Sequence, residues 1–333
     1  MKRALLLINI GTPEKPEREA VKKYLSEFLN DELVIDIPWL LRKILVNLII
    51  VPFRTNKSTD LYKRLWTEDG SPLLVYQNKL VDKLNQRGDE SGFTTYSAMR
   101  YGSPSIKDVL WEIDKSGCDE LIVLPMYPQY ATSTTLSTER AVNKMLKGMQ
   151  NINKVRFVKQ FYNHPDFIEA FVSKIRSYDY RNYDHILFSY HGLPDRQVNK
   201  LHPGVKSHTC SCHKEFPLHG KECYKATCYE TTRLMAAQLG VDNNSYSVSF
   251  QSRLSNNWLS PFTDAMLESL LKKGKKKILV VAPSFVTDCL ETIVEIGWEY
   301  ESHFKSLGGE KLQLVESLNE SDEWVQAIIN ITN

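Results

Sequence analysis

The chain has 333 residues, which is enough for about two domains of ordinary size. Hydrophobic residues make up 42% of the sequence and charged residues 25%, as in a globular protein rather than a disordered or fibrous one. The formal net charge of +2 is too small to indicate a nucleic-acid-binding protein.

The most apolar segments predict neither a signal peptide nor a transmembrane helix. The opening MKRALLLINI has a short apolar core, and no cleavage-like site follows it. The longest apolar run, 39–53, is interrupted by Arg42 and Lys43 and falls short of the about 20 apolar residues that span a bilayer. We expect a cytoplasmic protein, and contact of this run with the inner membrane surface stays open.

Strand-like apolar runs alternate with helical patterns along the whole chain. Near-continuous apolar strands separated by helices are typical of parallel sheets covered by helices on both faces. The sequence therefore predicts an α/β fold. The predicted strands are 3–11, 94–102, 120–128, 154–162, 185–193, 245–253, 276–285 and 311–318.

The two halves of the chain are similar in the order of their segments. Each begins with a strand that ends in x-Gly-x-Pro, LLLINIGTP and ILFSYHGLP, and three further pairs of segments follow about 150–160 residues apart. We predict two similar lobes, 1–165 and 166–333, with a cysteine-rich insertion at about 200–230. Ligands of open parallel sheets bind outside the carboxyl ends of the strands, so two such lobes predict a cleft lined by His191.

His191 ends the apolar strand ILFSYH, immediately before Gly-Leu-Pro. A histidine at this position can accept a proton or bind a metal near neutral pH. The structural alternative is a strand-end histidine that only hydrogen-bonds to backbone. Its place at the carboxyl end of a strand favours the functional interpretation.

The segment SFVTDCLETIVEIGWEY, 284–300, supplies candidate carboxylates after another predicted strand. Asp288 and Glu291 have the spacing of a helix capping box. Glu291, Glu295 and Glu299 recur every four residues, which would align three carboxylates on one face of an α-helix. Such a row is either a solvated surface or a path for protons or hard cations.

The segment IPWLLRKILVNLIIVPFRTNK, 37–57, is apolar on nearly all sides. It predicts either a fully buried helix or an exposed apolar flap that binds an apolar ligand or a membrane. Arg54 and Lys57 at its end are candidates to bind carboxylates.

Four cysteines, Cys210, Cys212, Cys223 and Cys228, lie within 19 residues. Their clustering in a cytosolic chain indicates a metal rather than disulfides. Structural zinc sites usually contain two C-x2–4-C pairs, whereas the first pair here is C-x-C. Four thiolates also suit a [2Fe–2S] cluster. We expect the cluster, with zinc as the alternative.

Six segments, taken in order, resemble the ferrochelatases, enzymes that insert ferrous iron into a porphyrin to make haem. The segments are LINIGTPEKP, RYGSPSI, PMYPQYATSTT, FSYHGLP, FQSRLSNNWLSP and TDCLETIVEIGWEY. The resemblance covers nearly the whole chain. It implies a type II chelatase-like fold of two Rossmann-like lobes around a porphyrin cleft. It also implies a lyase-class enzyme of haem biosynthesis that converts protoporphyrin IX and ferrous iron into haem b and two protons.

The resemblance also assigns residues to roles. It implies that His191, Glu291 and Glu295 are catalytic, and that His191 and Glu291 contact the incoming iron. Substrate-binding positions of the family fall on Ile10, Arg54, Lys57, Tyr62, Tyr127, Trp258 and Phe285.

Three features distinguish this chain within the family. Ile10 stands where coproporphyrin-type members have tyrosine, which, with the apolar run 39–53, favours protoporphyrin as substrate. Cys289 stands where the family often has histidine. Some members carry a [2Fe–2S] cluster and many lack its cysteines, so we expect the cluster to lie outside the insertion machinery.

Two rival functions remain for comparison. A chelatase for a less aromatic, carboxylate-rich tetrapyrrole would require more Arg and Lys than these apolar segments offer. A non-enzymatic tetrapyrrole or metal carrier, or a cluster-based sensor, would need the cleft but not His191 together with Glu291.

Overall fold

The computed structural model describes residues 2–88, 92–202 and 204–333. The described residues form eight β-strands and twelve α-helices. The strands are β1 (Arg3–Thr12), β2 (Thr94–Gly102), β3 (Glu120–Pro125), β4 (Lys154–Phe157), β5 (His185–His191), β6 (Tyr246–Gln251), β7 (Lys277–Val281) and β8 (Lys311–Leu314).

The α-helices lie between the strands, in the positions that the alternating pattern predicts. They are α1 (Arg18–Leu29), α2 (Trp39–Ile44), α3 (Val51–Leu65), α4 (Pro72–Gln86), α5 (Ile106–Lys115), α6 (Ser137–Leu146), α7 (Pro165–Ser177), α8 (Asp195–Asn199), α9 (Tyr224–Leu239), α10 (Thr263–Lys272), α11 (Glu301–Ser306) and α12 (Asp322–Thr332). Three π-helical segments, Leu45–Ile50, Thr132–Leu136 and Glu291–Tyr300, directly precede α3, α6 and α11.

All eight predicted strands are confirmed. Six of them end two to five residues earlier than predicted, for example β4, which ends at Phe157 rather than at 162. The apolar residues beyond these ends, such as Phe161 and Tyr162, are buried in loops. Apolar residues in the sequence indicate burial rather than strand structure. The apolar run therefore extends past the residue at which the strand ends.

The strands form two parallel four-stranded sheets with the same strand order, β2-β1-β3-β4 and β6-β5-β7-β8. This order confirms the pairing of segments that the sequence predicts. The match extends to single hydrogen bonds, since the Met99 amide donates to the Pro104 carbonyl and the Phe250 amide to the Pro261 carbonyl, both at 2.8 Å.

The registers of the two sheets align β1 with β5. Asn9 pairs with Met99 in one sheet, and Tyr190 pairs with Phe250 in the other. Ile10 and His191, the next residues of β1 and β5, therefore occupy equivalent positions at the carboxyl ends of equivalent strands.

The chain forms two compact units, within each of which the residues contact one another. Unit 1 comprises Met1–Tyr127, Ala131–Gln160 and Glu320–Asn333. In its core, Leu6 and Ile8 of β1 pack with Leu110 of α5 and Val142 near α6's centre, and all four are fully buried. Leu5 and Leu7, on the other face of the strand, are fully buried as well, because β1 is covered on both faces.

Unit 2 comprises Pro128–Tyr130 and Phe161–Asn319. Its core joins Leu187 of β5 and Val280 of β7 to Leu267 of α10 and Phe304 of α11. The predicted lobe boundaries, 1–165 and 166–333, stay a prediction. The last helix, α12, contacts α4 of unit 1, where Asp322 forms a 2.9 Å ion pair with Lys83.

The segment 39–57 exposes its apolar side chains, so the fully buried helix is the wrong alternative. Val46 and Val51 are buried, whereas seven larger apolar residues have exposed fractions of 45% to 81%. These residues are Trp39, Leu40, Leu41, Ile44, Leu48, Ile49 and Phe53. Arg42 is instead buried, and its Nη1 donates to the Ile37 carbonyl at 2.9 Å. Among the residues that the structure describes, no helix combines the length and apolarity needed to cross a bilayer.

Candidate active site

His191 is the last residue of β5, and it is half-buried. Its Nδ1 lies 2.7 Å from the Gly192 carbonyl oxygen. A carbonyl only accepts, so Nδ1 carries the proton and Nε2 is the acceptor nitrogen of the neutral ring. The Phe285 ring lies 6.2 Å away, centre to centre.

The loop after His191 pairs with the loop that carries Trp258. The Leu259 amide donates to the Leu193 carbonyl at 2.9 Å, and Pro194 bridges to Trp258. Gly192 allows this approach, because a Cβ there would lie 2.7 Å from the Gln251 carbonyl oxygen and 3.4 Å from the Trp258 ring. The glycine of the His-Gly-Leu-Pro motif thus brings an indole next to the histidine.

The carboxylate-bearing segment Glu291–Tyr300 is π-helical over ten residues. A π-helix bonds residue i to i+5, so the predicted α-helix is wrong for this segment. Glu295 accepts a 3.0 Å hydrogen bond from Tyr300, whereas Glu299 is exposed. The exposure of Glu299 fits the solvated-surface alternative for the end of the predicted carboxylate row. Single π-turns inside helices often occur at functional sites.

The Glu295 carboxylate is held by three donors. Ser252 donates from its amide at 2.9 Å and from its hydroxyl at 2.5 Å, and Tyr300 supplies the third. Burial raises the pKa of Glu295, and the neighbouring Glu291 charge raises it further, against the lowering effects of the Ser252 hydrogen bond and of nearby His191. Glu295 thus lies within electrostatic range of both His191 and Glu291.

Glu291 is half-buried and contacts Cys289, whose Sγ donates to Oε2 at 3.1 Å. Burial raises the pKa of the Cys289 thiol well above its usual value, so the thiol keeps its proton. The Cys289 amide donates to Thr292 Oγ1 at 3.0 Å, and that hydroxyl donates to Asp288 Oδ1 at 2.9 Å.

Asp288 does not cap the helix as the sequence spacing suggests. Its carboxylate accepts from Thr292, from the Ser317 amide at 3.3 Å and from Asn319 Nδ2 at 2.8 Å. Asp288 therefore anchors the turn that carries Glu291 to the loop after β8.

The other sequence-predicted substrate positions lie in unit 1. Ile10 lies near the carboxyl end of β1, and Tyr127 follows the adjacent β3; both are half-buried. Burial of its hydroxyl raises the pKa of Tyr127. Tyr62 of α3 is buried, and its ring lies 6.3 Å from Tyr24, whose hydroxyl donates to the Gly11 carbonyl at 3.1 Å.

Arg54 and Lys57 are both exposed on α3. The structure therefore gathers His191, Trp258, Phe285, Glu291 and Glu295 in unit 2, and it leaves two exposed cationic side chains on α3 in unit 1.

The four clustered cysteines are all buried in unit 2. Burial raises the pKa of Cys212 to about 12 and of Cys223 to about 11, and neighbouring cysteine thiols contribute to both rises. Burial likewise raises the pKa of Cys228, with further contributions from Cys223 and Cys212. The thiols are thus close enough to interact.

Buried positive charge lies beside these thiols. Lys225 is buried, donates to the Ser207 carbonyl at 2.9 Å and lowers the pKa of Cys212 and Cys223 against the larger effect of burial. His219 Nε2 lies 3.4 Å from Cys210 Sγ. Four thiols with an adjacent ammonium suit an anionic thiolate centre. Within the described ranges, however, no three His, Cys, Asp or Glu side chains already have the arrangement of a metal site.

Sequence reasoning missed two residues that hold the site together. Ser252 directly follows β6 inside the motif FQSRLSNNWLSP, and Tyr224 follows Cys223 in the cysteine segment. The position of Ser252 near the end of a predicted strand could have indicated that it belongs to the site. Nothing in the local sequence indicates that the Tyr224 hydroxyl donates to the His191 carbonyl, at 2.9 Å.

Comparison with known proteins assigns the family. The family model described as ferrochelatase matches residues 2–333. A ferrochelatase from Coxiella burnetii is 42% identical over 331 residues, covering 97% of this chain and 91% of that protein. A ferrochelatase from Legionella pneumophila is 40% identical over 337 residues, covering 100% of this chain and 99% of that protein.

Solved structures show the same fold at low sequence identity. The sirohydrochlorin chelatase SirB from Bacillus subtilis subspecies spizizenii, in complex with cobalt, has a TM-score of 0.56 at 10% identity, covering 100% of this chain and 94% of that chain. SirB from Bacillus subtilis with Fe3+ has a TM-score of 0.55 at 11% identity, covering 99% of this chain and 94% of that chain.

Proposed function

The chain belongs to the ferrochelatase family, and we propose that it inserts ferrous iron into protoporphyrin IX to form haem b, with release of two protons. The observation that carries the mechanism is the His191 ring at the end of β5, whose Nδ1 lies 2.7 Å from the Gly192 carbonyl oxygen. Glu295 lies close enough to both His191 and Glu291 for each of them to shift the pKa of its carboxyl group.

Proton removal from the porphyrin is the step assigned to His191. A free porphyrin carries two pyrrole N–H protons inside a flat ring, and iron enters only after the ring bends and the protons leave. A site that binds the bent ring more tightly than the flat one accelerates this step. Nε2 accepts a pyrrole proton, while the Gly192 carbonyl keeps Nδ1 protonated and the ring oriented.

The two carboxylates support the charge that develops on His191. A neighbouring anion stabilises an imidazolium. Glu295 is close enough to His191 for the histidine charge to lower the pKa of its carboxyl group. Glu291, which is half-buried, and Glu295 carry protons between the histidine and solvent, and Glu291 also offers an oxygen ligand to incoming iron. Binding of iron by His191 itself is the alternative, since one lone pair cannot hold a proton and a metal together.

The substrate preference rests on the apolar positions and on two cations. Ile10, Tyr62, Tyr127, Trp258 and Phe285 supply apolar and aromatic surface for the porphyrin. Arg54 and Lys57 are exposed and can reach carboxylates in solution. Two cations match the two carboxylates of protoporphyrin, whereas coproporphyrin carries four.

A [2Fe–2S] cluster at Cys210, Cys212, Cys223 and Cys228 is the cofactor that we propose, with zinc as the alternative. Support comes from the burial of all four thiols and from the Lys225 ammonium beside them. When bound, such a cluster supplies a covalent tie across the segment and a one-electron redox centre.

Peripheral contact with the cytoplasmic face of the inner membrane is proposed for the segment 39–57. Its exposed apolar side chains can enter the headgroup region, and Lys43, Arg54 and Lys57 can attract anionic lipids.

Mixing the purified protein with protoporphyrin IX and ferrous iron under anaerobic conditions tests the function. We expect the haem spectrum to appear at a rate proportional to enzyme concentration, and faster than with coproporphyrin. Porphyrin binding without haem formation would instead support the carrier. Faster insertion of cobalt or iron into a carboxylate-rich, less aromatic tetrapyrrole would support the other chelatase.

A further inference from the structure

The peptide group that joins His191 to Gly192 is bound at both ends. The His191 carbonyl accepts from the Tyr224 hydroxyl at 2.9 Å, and the Gly192 amide donates to the Gln251 carbonyl at 2.8 Å. The next carbonyl, that of Gly192, accepts from His191 Nδ1. The orientation of this peptide therefore sets both the direction of the imidazole and the nitrogen that carries its proton.

Tyr224 reaches this peptide from the cysteine segment. It is the first residue of α9, directly after Cys223, whose Sγ accepts from the Ala226 amide at 3.5 Å and so caps the helix. Four residues, about one helical turn, separate Tyr224 from Cys228, so the two residues lie on the same face of α9. Both are buried, Tyr224 at 5% exposure and Cys228 at 0%.

Ser284 completes the bracket around His191. Its hydroxyl accepts from the His191 amide at 3.3 Å. The Tyr224 hydroxyl thus holds the backbone of the proposed proton acceptor, while the Tyr224 backbone begins the helix that carries Cys228.

We propose that Tyr224 is a positioning residue for metal insertion, whose hydroxyl fixes the His191–Gly192 peptide and couples the orientation of the His191 ring to the helix that carries Cys223 and Cys228. This inference rests on the proposed function for its effect on rate. Its structural part, the coupling of the ring to the cysteine helix, can be measured separately.

Loss of the Tyr224 hydroxyl lowers the fraction of molecules in which the His191 ring has the correct orientation. Without the Tyr224 donor, the part-buried His191 carbonyl loses that partner, so the peptide can rotate and the Gly192 carbonyl can leave Nδ1. A ring that spends less time with Nε2 directed at the substrate lowers kcat. The porphyrin contacts remain, so KM changes little.

Tyr224→Phe tests the proposal, with Tyr190→Phe as the matched control. Tyr190 precedes His191, is equally buried and lies near Cys228, but its hydroxyl bonds to Thr232 at 2.8 Å. We expect Tyr224→Phe to lower kcat about 2- to 10-fold, the effect of one hydrogen bond, with KM for porphyrin nearly unchanged. Tyr190→Phe should lower thermal stability to a similar degree and leave kcat within about 2-fold of wild type.

Nitrogen NMR of histidine-labelled protein reports on the ring directly. In the wild type and in Tyr190→Phe, His191 should be the Nδ1–H tautomer, and Tyr224→Phe should show a mixture. Equal kcat and equal His191 tautomer in the two tyrosine variants would overturn the proposal. If Tyr224→Phe does not fold, Ser284→Ala, which removes the other half of the bracket, must reproduce the mixture, and an unchanged tautomer there also overturns it.

A double-mutant cycle measures the coupling to the cysteine helix. Cys228→Ser should shift the His191 ring signals when Tyr224 is present and leave them unchanged in Tyr224→Phe. Equal shifts in both backgrounds would show that Tyr224 does not transmit the change. These signals are readable even if the wild type makes no haem, so failure of the proposed function and failure of this inference give different results.

Discussion

The Cys289 thiol donates to the Glu291 carboxylate, with 3.1 Å between Sγ and Oε2. The thiol is buried and neutral, and its own amide is tied through Thr292 to Asp288. Where relatives of this family often carry an imidazole, this chain therefore holds its proposed catalytic carboxylate with a neutral sulfur donor.

Cys289→Ala removes that donor, and we expect kcat to fall about 2- to 10-fold with little change in KM. Cys289→Ser keeps a donor and should recover part of the loss. Cys118→Ser is the control, because Cys118 is also buried but donates to the Glu120 carbonyl in unit 1. Equal rates for Cys289→Ala and the wild type would show that the thiol does not position Glu291.

His191→Ala should abolish most haem formation and leave porphyrin binding in place. Loss of a general base typically costs about 10²–10⁴-fold in rate. Steady-state haem formation and quenching of porphyrin fluorescence measure the two quantities. His303→Ala is the control, since the His303 side chain is 42% exposed and lies 3.9 Å from Glu268. Near wild-type rate with the same pH dependence in His191→Ala would remove the proton-acceptor role.

Glu295→Gln should change how stability depends on pH. The folded protein raises the pKa of Glu295 above its ordinary value of 4.5 through burial, so between these two values the folded state binds more protons than the unfolded state. Stability from this group is then present at low pH and is lost as pH rises through the raised pKa.

The glutamine variant lacks this titration. Its free energy of unfolding, relative to the wild type, should improve as pH rises above 4.5 and be constant below it. Urea unfolding at a series of pH values measures the difference. A difference that is flat, or that declines with rising pH, would contradict the raised pKa.

The cysteine segment predicts a coloured protein. Anaerobically purified wild type should absorb in the visible through a thiolate–iron cluster, and Cys210→Ser should lose the colour and the bound iron. Cys118→Ser should keep both. A colourless wild type with about one zinc per chain would favour the zinc alternative.

Phe53→Glu should weaken binding to vesicles that contain anionic lipid. Phe53 is 81% exposed, so the folded protein loses little when it is replaced, whereas a membrane-bound state loses an inserted ring and gains a repelled charge. Leu307→Glu, at 43% exposure outside the segment, is the control. Vesicle co-sedimentation that is equal for both variants and the wild type would exclude membrane contact through 39–57.

The sequence predicts the eight strands and the repeat, because apolar runs and strand ends are local signals. The roles of His191, Glu291 and Glu295 stay predictions. It does not predict the π-helix, since the spacing of Glu291, Glu295 and Glu299 fits an α-helix equally well on paper. Whether the backbone hydrogen bonds of the helix join residues four or five apart depends on what its side chains contact in the folded chain. The contacts of Glu295 here are with Ser252 and Tyr300.

Long-range partners are the other part that sequence reasoning cannot supply. Tyr224 and His191 are 33 positions apart, and their hydrogen bond depends on how α9 packs beside the end of β5. The exposure of 39–57 cannot be predicted for the same reason. The sequence of an apolar segment is the same whether other parts of the fold cover it or leave it exposed to solvent.

The equivalence of Ile10 and His191 has a consequence for how such a protein can arise and change. At this matched position one half of the chain has a hydrocarbon side chain and the other an imidazole. Substitutions at Ile10 can therefore alter the shape of that strand end without removing a titratable group.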